Sequence, residues 1–253
     1  MTILVGIRCK DGVVIGSDSA VTFSTGGLST IEQSTSRKID VLESSVIVAG
    51  TGQVGLGQRF CAQVATIVAA KKSNGLAPVE VGKMFAAAGT SDFTQTNTPR
   101  GQYGALVAFR TRKELHLCEF ATNDFQPELK TEDIWYASMG NGQAIADPFL
   151  GLMRKVFWKH GMPSMADGVF AAVWTLQHTI DVNPGGINGP MRVATLSWLP
   201  GKEGESHVAR YLDESEIEQH QESVASAERH LSSYRELIGG TDPGTAPDVP
   251  RPQ

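Results

Sequence analysis

The chain has little cysteine. Cys9, Cys61 and Cys118 are widely spaced among 253 residues, an odd number that excludes a disulfide framework and fits a reducing, cytoplasmic setting. Long hydrophobic runs are missing. Nothing approaches the ~18 apolar residues of a membrane span, and the stretch at residues 3–7 is too short, and lacks the basic start, for a secretory leader. An excess of positive charge is missing too. Lys and Arg number 22 against 27 Asp and Glu, a net charge of −5, so no global field draws the chain to nucleic acid or anionic membranes. The six histidines never fall at the HxxxH or HExxH spacing of a zinc site, and nothing else asks for a cofactor. What is present, 41% hydrophobic and 19% charged residues, suits an ordinary globular protein long enough for one large domain or two small ones.

Strand and helix signals come in groups. Residues 3–8 and 13–18 are β-branched runs around Lys10-Asp11-Gly12, a hairpin signal. Residues 22–37, rich in Ser, Thr and Gly, read as a loop, and 39–42 and 46–49 as further strands. The spacing of Phe60, Val64, Ile67 and Val68 predicts a helix over 53–72, and Pro78 opens another over 78–88. A loop is expected at 89–101, strands at 103–109, 115–120 and 134–138, helices at 142–159 and 164–178, and strands at 192–198 and 207–212. A final helix spans 213–238, where Asp213 with Glu216 makes a capping box. Ile217, Val224, Leu231 and Ile238 recur along it every seven residues, a narrow seam for docking on the body or on a neighbouring subunit. Residues 239–253, with four prolines, read as a disordered tail. Grouped strands and grouped helices argue against a parallel βαβ sheet. The expected fold is α+β, a four-layer αββα sandwich of two mostly antiparallel sheets with flanking helices, one domain over residues 1–238.

Thr2 becomes the N-terminus if Met1 is removed, which a small second residue favours. A free N-terminal threonine carries a hydroxyl that can attack a carbonyl and an α-amine, of reference pKa about 7.7–8.0, that can take the hydroxyl proton. Met-Thr alone reads as an ordinary initiator before a common residue. By themselves, Asp18 reads as a turn residue at a strand end, Lys38 as a solvated charge, and Gly50 as the glycine that turns a strand into a helix.

Together these residues carry a resemblance. Thr2-Ile3-Leu4-Val5-Gly6-Ile7, with Lys10-Asp11-Gly12-Val13-Val14-Ile15-Gly16-Ser17-Asp18, resembles the opening of proteasome β-type subunits and the bacterial HslV peptidase, which are N-terminal nucleophile hydrolases. Counted from Thr2, Gly6, Asp11, Gly12 and Asp18 fall at the family's offsets without a gap. The resemblance continues at Arg37-Lys38-Ile39 and Val46-Ile47-Val48-Ala49-Gly50, and weakens through the middle. It returns at Tyr136-Ala137-Ser138-Met139-Gly140-Asn141-Gly142 and at Asp181-Val182-Asn183-Pro184-Gly185-Gly186. The length beyond HslV, mostly in the last helix, is similar to that of lesser-known bacterial relatives, the betaproteobacterial proteasome homologues first and Anbu second.

The resemblance implies a threonine endopeptidase in which Thr2 is the nucleophile, Lys38 lowers the pKa of the attacking oxygen, and Asp18 holds Lys38. The Gly50 N–H would stabilise the oxyanion. Asp181 matches an acid behind the amine. Asn141 and Pro184 stand where the family has serines that support it, which puts the strength of activity in question. Val21 and Val48 match specificity-pocket positions and hint at apolar side chains before the cut. A peptide would add as a strand beside Thr51 and Val21. The resemblance further implies no cofactor, homo-oligomeric stacked rings of six or seven, unfolded polypeptide or peptide substrates, and an ATPase partner of unknown identity. With only Met1 ahead of Thr2, one aminopeptidase step would expose the nucleophile.

Hairpin register supplies a check. A two-residue Asp11-Gly12 turn pairs positions summing to 23 and faces Asp18 away from Thr2. A three-residue Lys10-Asp11-Gly12 loop pairs positions summing to 22 and puts both on one face. The catalytic reading expects the second. Two rivals remain: Gly50-Thr51-Gly52-Gln53-Val54-Gly55 is a literal GxGxxG of a dinucleotide site, and the chain could be a catalytically weak or inactive scaffold subunit. Cys9, Cys61 and Cys118 read as core residues.

Overall fold

In a computed structural model, residues 1–25, 28–32, 37–73, 75–99, 101–112, 114–183 and 186–238 are described, with 22–25, 28–32 and 236–238 described by backbone alone. The expected tail at 239–253 and Pro184 lie outside the described residues. In chain order the strands are β1 (Leu4–Arg8), β2 (Gly12–Ser17), β3 (Val21–Thr25), β4 (Leu28–Glu32), β5 (Ile39–Leu42), β6 (Val46–Gly52), β7 (Tyr103–Thr111), β8 (Glu114–Phe120), β9 (Pro127–Leu129), β10 (Tyr136–Met139), β11 (Arg192–Trp198) and β12 (His207–Tyr211). The helices are α1 (Val54–Ala69) and α2 (Pro78–Gln95), which precede β7, α3 (Gln143–Phe157) and α4 (Met165–Val182), which precede β11, and α5 (Glu214–Ile238).

Two five-stranded sheets, β10-β1-β2-β11-β12 and β5-β6-β7-β8-β9, are antiparallel throughout. Strand alternation divides their side chains among three apolar layers. Leu4, Val13, Ile15, Ile47, Ala49, Leu106 and Leu117 meet between the sheets. Ile3, Val5, Ile7 and Val14 face the other way, onto Leu150 of α3, Trp174 of α4 and Val224 of α5. Val46, Val48, Val107 and Phe109 face Phe60 of α1 and Phe85 of α2. The four-layer sandwich follows directly from sheets that are apolar on both faces.

Several local expectations are corrected. The β1–β2 turn is neither of the two anticipated. Leu4 pairs with Ser17 and Arg8 with Val13, a sum of 21, so Lys10-Asp11 is the two-residue turn and Gly12 lies within β2. Gly12 is there because β11 passes close: a Cβ would sit 2.5 Å from the Leu196 carbonyl oxygen. Asp11 is drawn instead to the N-terminus of α4, where its Oδ1 accepts from the Met165 N–H at 2.7 Å, a favourable place for a carboxylate. Part of the loop expected at 22–37 is the β3–β4 hairpin. Helix α2 runs to Gln95, beyond the expected 88. Thr90 and Thr94 donate to the carbonyls of Ala86 and Thr90 at 2.8 and 2.7 Å, satisfying hydroxyls that would otherwise compete with the helix. The short strand β9 had no alternating signal to betray it.

The dinucleotide-binding reading is excluded by topology. Both neighbours of β6, namely β5 and β7, run antiparallel to it, whereas that fingerprint needs a parallel βαβ unit. The α5 capping box is present, with Glu216 N–H on Asp213 Oδ1 at 2.9 Å and Asp213 N–H on Glu216 Oε2 at 3.0 Å. The seam of α5 docks for half its length. Ile217 and Val224 are buried, while Leu231 and Tyr234 are exposed.

Candidate active site

Residues 1–3 precede β1 and residues 18–20 follow β2, so the two chain segments leave one end of the first sheet together. Strand alternation would place Asp18 with Ile3 and away from Thr2, contrary to the register on which the catalytic reading had relied. The carboxylate arrives nonetheless, because neither Thr2 nor Asp18 lies within a strand and alternation does not bind them. Asp18 is fully buried and turns back along the sheet end. Its Oδ1 accepts from the Ile3 N–H at 3.0 Å and its Oδ2 from the Ala20 N–H at 3.1 Å. The same Oδ1 accepts from Lys38 Nζ at 2.6 Å. Three donors hold the charge that burial would otherwise penalise.

Lys38 enters from the opposite sheet, just ahead of β5. Its side chain is 7% exposed, and Nζ donates to the Met1 carbonyl at 3.0 Å as well as to Asp18. Burial, the larger influence, lowers the Lys38 pKa below the ordinary lysine value, and the Asp18 charge and hydrogen bond pull it part of the way back. The α-amine of Met1 is lowered too, by burial first and by the Lys38 charge second. The ammonium thus sits against the carbonyl of the Met1–Thr2 peptide bond.

Thr2 itself is gripped by the turn after β10. The Gly142 N–H donates to the Thr2 carbonyl at 3.2 Å. Gly140, at φ +93, packs so closely that a Cβ there would lie 2.4 Å from that carbonyl oxygen. Both the left-handed backbone and the missing Cβ are needed at Gly140. Asn141, between them, is exposed. Asp181 is exposed in the last turn of α4 and is outside the residues lining the cleft.

Thr2 opens on a cleft of about 590 Å³ lined by Met1, Ala20 and Val21, by Arg37, Lys38 and Asp40, by the β6 segment Gly50-Thr51-Gly52, by Gln53 just ahead of α1, and by α1 residues Val54, Gly57, Gln58 and Cys61, with Tyr103 at its floor. The structure therefore brings Thr2, Asp18, Lys38, Gly50, Thr51 and Val21 to one place and leaves Val48 out. Val48 is fully buried against α1 and α2; it shares a strand face with its cross-strand partner Asp40 but is covered by the helices. The Gly50 N–H is engaged, donating to the Lys38 carbonyl at 3.0 Å as a rung between β5 and β6. Gly52, two residues on, turns its N–H to the same edge of β6 by strand alternation. Gly50 is also glycine for another reason: a Cβ would meet the Tyr103 hydroxyl at 2.4 Å.

Cys61 proves to be a cleft residue rather than a core one, its Sγ–H donating to Asp40 Oδ2 at 3.4 Å. Cys9 and Cys118 are buried as expected, and His116 beside Cys118 bonds Thr111 Oγ1 at 2.7 Å instead. The sequence reading missed Gly140, Gly142, Gly52, Asp40 and Tyr103. The first two stood inside a recognised motif, and Asp40 was visible as a lone carboxylate in an apolar strand.

A protein-family model described as proteasome subunit matches residues 2–159, more than half of the chain. The chain belongs to the proteasome subunit family. No curated protein matches it. Among solved structures it is similar to Anbu (Gly-1) mutant from Hyphomicrobium sp. strain MC1, with a TM-score of 0.67 at 12% identity, covering 93% of this chain and 100% of that one. It is also similar to Anbu (ancestral beta-subunit) from Yersinia bercovieri, with a TM-score of 0.66 at 16% identity, covering 96% and 100%. At these identities the likeness concerns the fold, which is that of the proteasome-like N-terminal nucleophile hydrolases. Among the described residues no helix is long and apolar enough to cross a membrane, and no cluster of three or more His, Cys, Asp or Glu is placed to hold a metal ion.

Proposed function

We propose that this proteasome-family subunit is a threonine peptidase whose nucleophile is Thr2, exposed by removal of Met1. The observation that carries the reading is Lys38 Nζ, which bridges the buried Asp18 carboxylate at 2.6 Å and the carbonyl just ahead of Thr2 at 3.0 Å. A buried ammonium against a residue that would be N-terminal can tune charge at that residue, besides compensating the buried Asp18 carboxylate across the two sheets. Once Met1 is gone, Thr2 Oγ1 attacks the scissile carbonyl carbon and the Thr2 α-amine takes the hydroxyl proton. The tetrahedral oxyanion collapses, the amine returns the proton to the departing peptide nitrogen, and water hydrolyses the ester left on Thr2. Lys38 keeps positive charge beside the reacting oxygen and, by repulsion, favours the neutral α-amine that can serve as base.

The oxyanion falls on the cleft-side edge of β6. In the present state the Gly50 N–H is held by the Lys38 carbonyl, so Gly52, on the same edge, supplies the second donor of that edge. Peptides bind extended between this edge and Val21. Family membership supports homo-oligomeric rings as the assembly, with unfolded chains or peptides as substrates. Hydrolysis of short fluorogenic peptides tests the reading. Wild-type protein lacking Met1 is expected to cleave them, Thr2→Ala to be inactive, and Lys38→Met to lose at least ~10²-fold. Turnover that survives Thr2→Ala refutes it. The scaffold reading gains if Met1 is retained in the purified protein, since an acylated amine cannot serve as a base.

A further inference from the structure

Beyond Thr2 the cleft has a polar floor that the reaction does not use. Asp40 lies on β5 with its side chain toward α1, and its only hydrogen bond among the described residues is the one it accepts from Cys61 at 3.4 Å. No ion pair among the described residues includes it. Arg37 is exposed on the lining of the same cleft, unpaired with Asp40. Tyr103 is 4% exposed, yet its hydroxyl is buried without a hydrogen-bond partner among the described residues. Burial first, and then Cys61 and Asp40, raise its pKa, so the phenol stays protonated. A buried hydroxyl without a partner costs free energy unless a ligand or water meets it.

We propose that Asp40, Tyr103 and Cys61 form the side-chain subsite of the cleft and select a cationic residue, arginine or lysine, in the bound peptide. The proposal rests on the peptidase reading and replaces the expectation of an apolar preference. Val48, on which that expectation partly rested, is sealed in the core. The subsite is built from three elements. Asp40 supplies an uncompensated acceptor, the Tyr103 oxygen a second acceptor, and α1 residues Gln58 and Cys61 a polar wall. A guanidinium or ammonium entering past Gly50 donates to Asp40 and to the Tyr103 oxygen, satisfying both. A leucine side chain would desolvate Asp40 and leave Tyr103 unpartnered.

Binding and hydrolysis are read separately. N-acetyl-Ala-Ala-Xaa amides, with Xaa arginine, its neutral isostere citrulline, or leucine, are titrated calorimetrically into full-length Thr2→Ala protein, where turnover cannot interfere. The arginine peptide is expected to bind about 10- to 100-fold more tightly than the other two, the size of one charge-assisted hydrogen bond. Asp40→Asn, which keeps the Cys61 hydrogen bond, should erase that ratio. Tyr103→Phe should weaken the arginine peptide several-fold while leaving the unfolding midpoint unchanged or raised, a combination that a merely structural hydroxyl would not give. Equal or tighter binding of leucine, an arginine preference that survives Asp40→Asn, or no saturable binding of any peptide overturns the subsite. In the hydrolysis arm, wild-type protein lacking Met1 is given the corresponding fluorogenic amides. Asp40-dependent arginine binding without any turnover leaves the subsite standing and removes the peptidase reading. Cleavage after leucine that ignores Asp40 does the reverse.

Discussion

Replacing Gly140 by alanine should damage both stability and activity, and the two losses can be sized separately. Gly140 has φ +93, a region in which an L side chain costs about 1–3 kcal/mol. Its new Cβ would begin 2.4 Å from the Thr2 carbonyl oxygen and 3.2 Å from the Thr2 Cβ. Since such contacts do not fall below 3.0 Å, Thr2 must retreat by about 0.6 Å. It would stretch the Gly142 hydrogen bond as it moves. A misplacement approaching 1 Å costs roughly 10² in rate, so kcat/KM on a fluorogenic peptide should fall about 10- to 100-fold, with a stability loss of about 2 kcal/mol in urea. Gly201→Ala is the control. Gly201 has φ +70 but nothing within 4 Å of its Cβ position, so it should lose about 1 kcal/mol and keep its activity. If Gly140→Ala retains activity within two- to three-fold while Gly201→Ala loses comparable stability, the turn after β10 does not position a nucleophile, and the reasoning from the close Gly140–Thr2 contact fails.

Three further outcomes follow from the packing. Burial, and then the Arg8 charge, lower His116 to about 4 from 6.5. Between these values the unfolded chain binds a proton that the folded chain refuses, so stability should fall as pH drops from about 6.5 to 4, by on the order of 3 kcal/mol. Urea titrations at stepped pH, with His116→Gln as the variant that flattens the slope, check the sign. Val224→Ala in the docked half of α5 should cost about 1–3 kcal/mol, whereas Leu231→Ala in the undocked half should stay within about 0.5 kcal/mol; equal costs would mean the whole seam is covered. Asp11→Ala removes the acceptor at the start of α4 and should cost about 1 kcal/mol by thermal unfolding, with Asp11→Asn keeping most of it.

Grouped strand and helix signals were enough to assign the layers, because sheets that are apolar on both faces must be covered twice. Boundaries fared less well where a local signal had two uses. Gly12 looked like a turn glycine but is required by the passage of β11, and that single reassignment moved the hairpin register by one residue. Residues 89–95 looked like a polar loop because threonines that bond back to their own helix are indistinguishable, in sequence, from threonines in a turn. At the site, Thr2, Asp18 and Lys38 were legible because their spacing carries the resemblance. Strand alternation, however, was the wrong physical test for residues beyond the strand ends. Val48 shares a strand face with the cleft residue Asp40, but α1 and α2 cover it, a tertiary fact that no composition records. Asp40 and Tyr103 were illegible as a pair because β5 and β7 meet only through β6, more than 60 residues apart in the chain.

Intact-mass spectrometry of purified protein, before and after incubation with a threonine-directed electrophile, tests Thr2 as nucleophile most directly. Wild-type protein is expected to lack Met1 and to gain one adduct per chain, localised to Thr2 by peptide mapping. Thr2→Ala should gain none, and Lys38→Met should react far more slowly. A wild-type chain that has lost Met1, is folded, and takes up no adduct would contradict the assignment, as would an adduct that persists in Thr2→Ala.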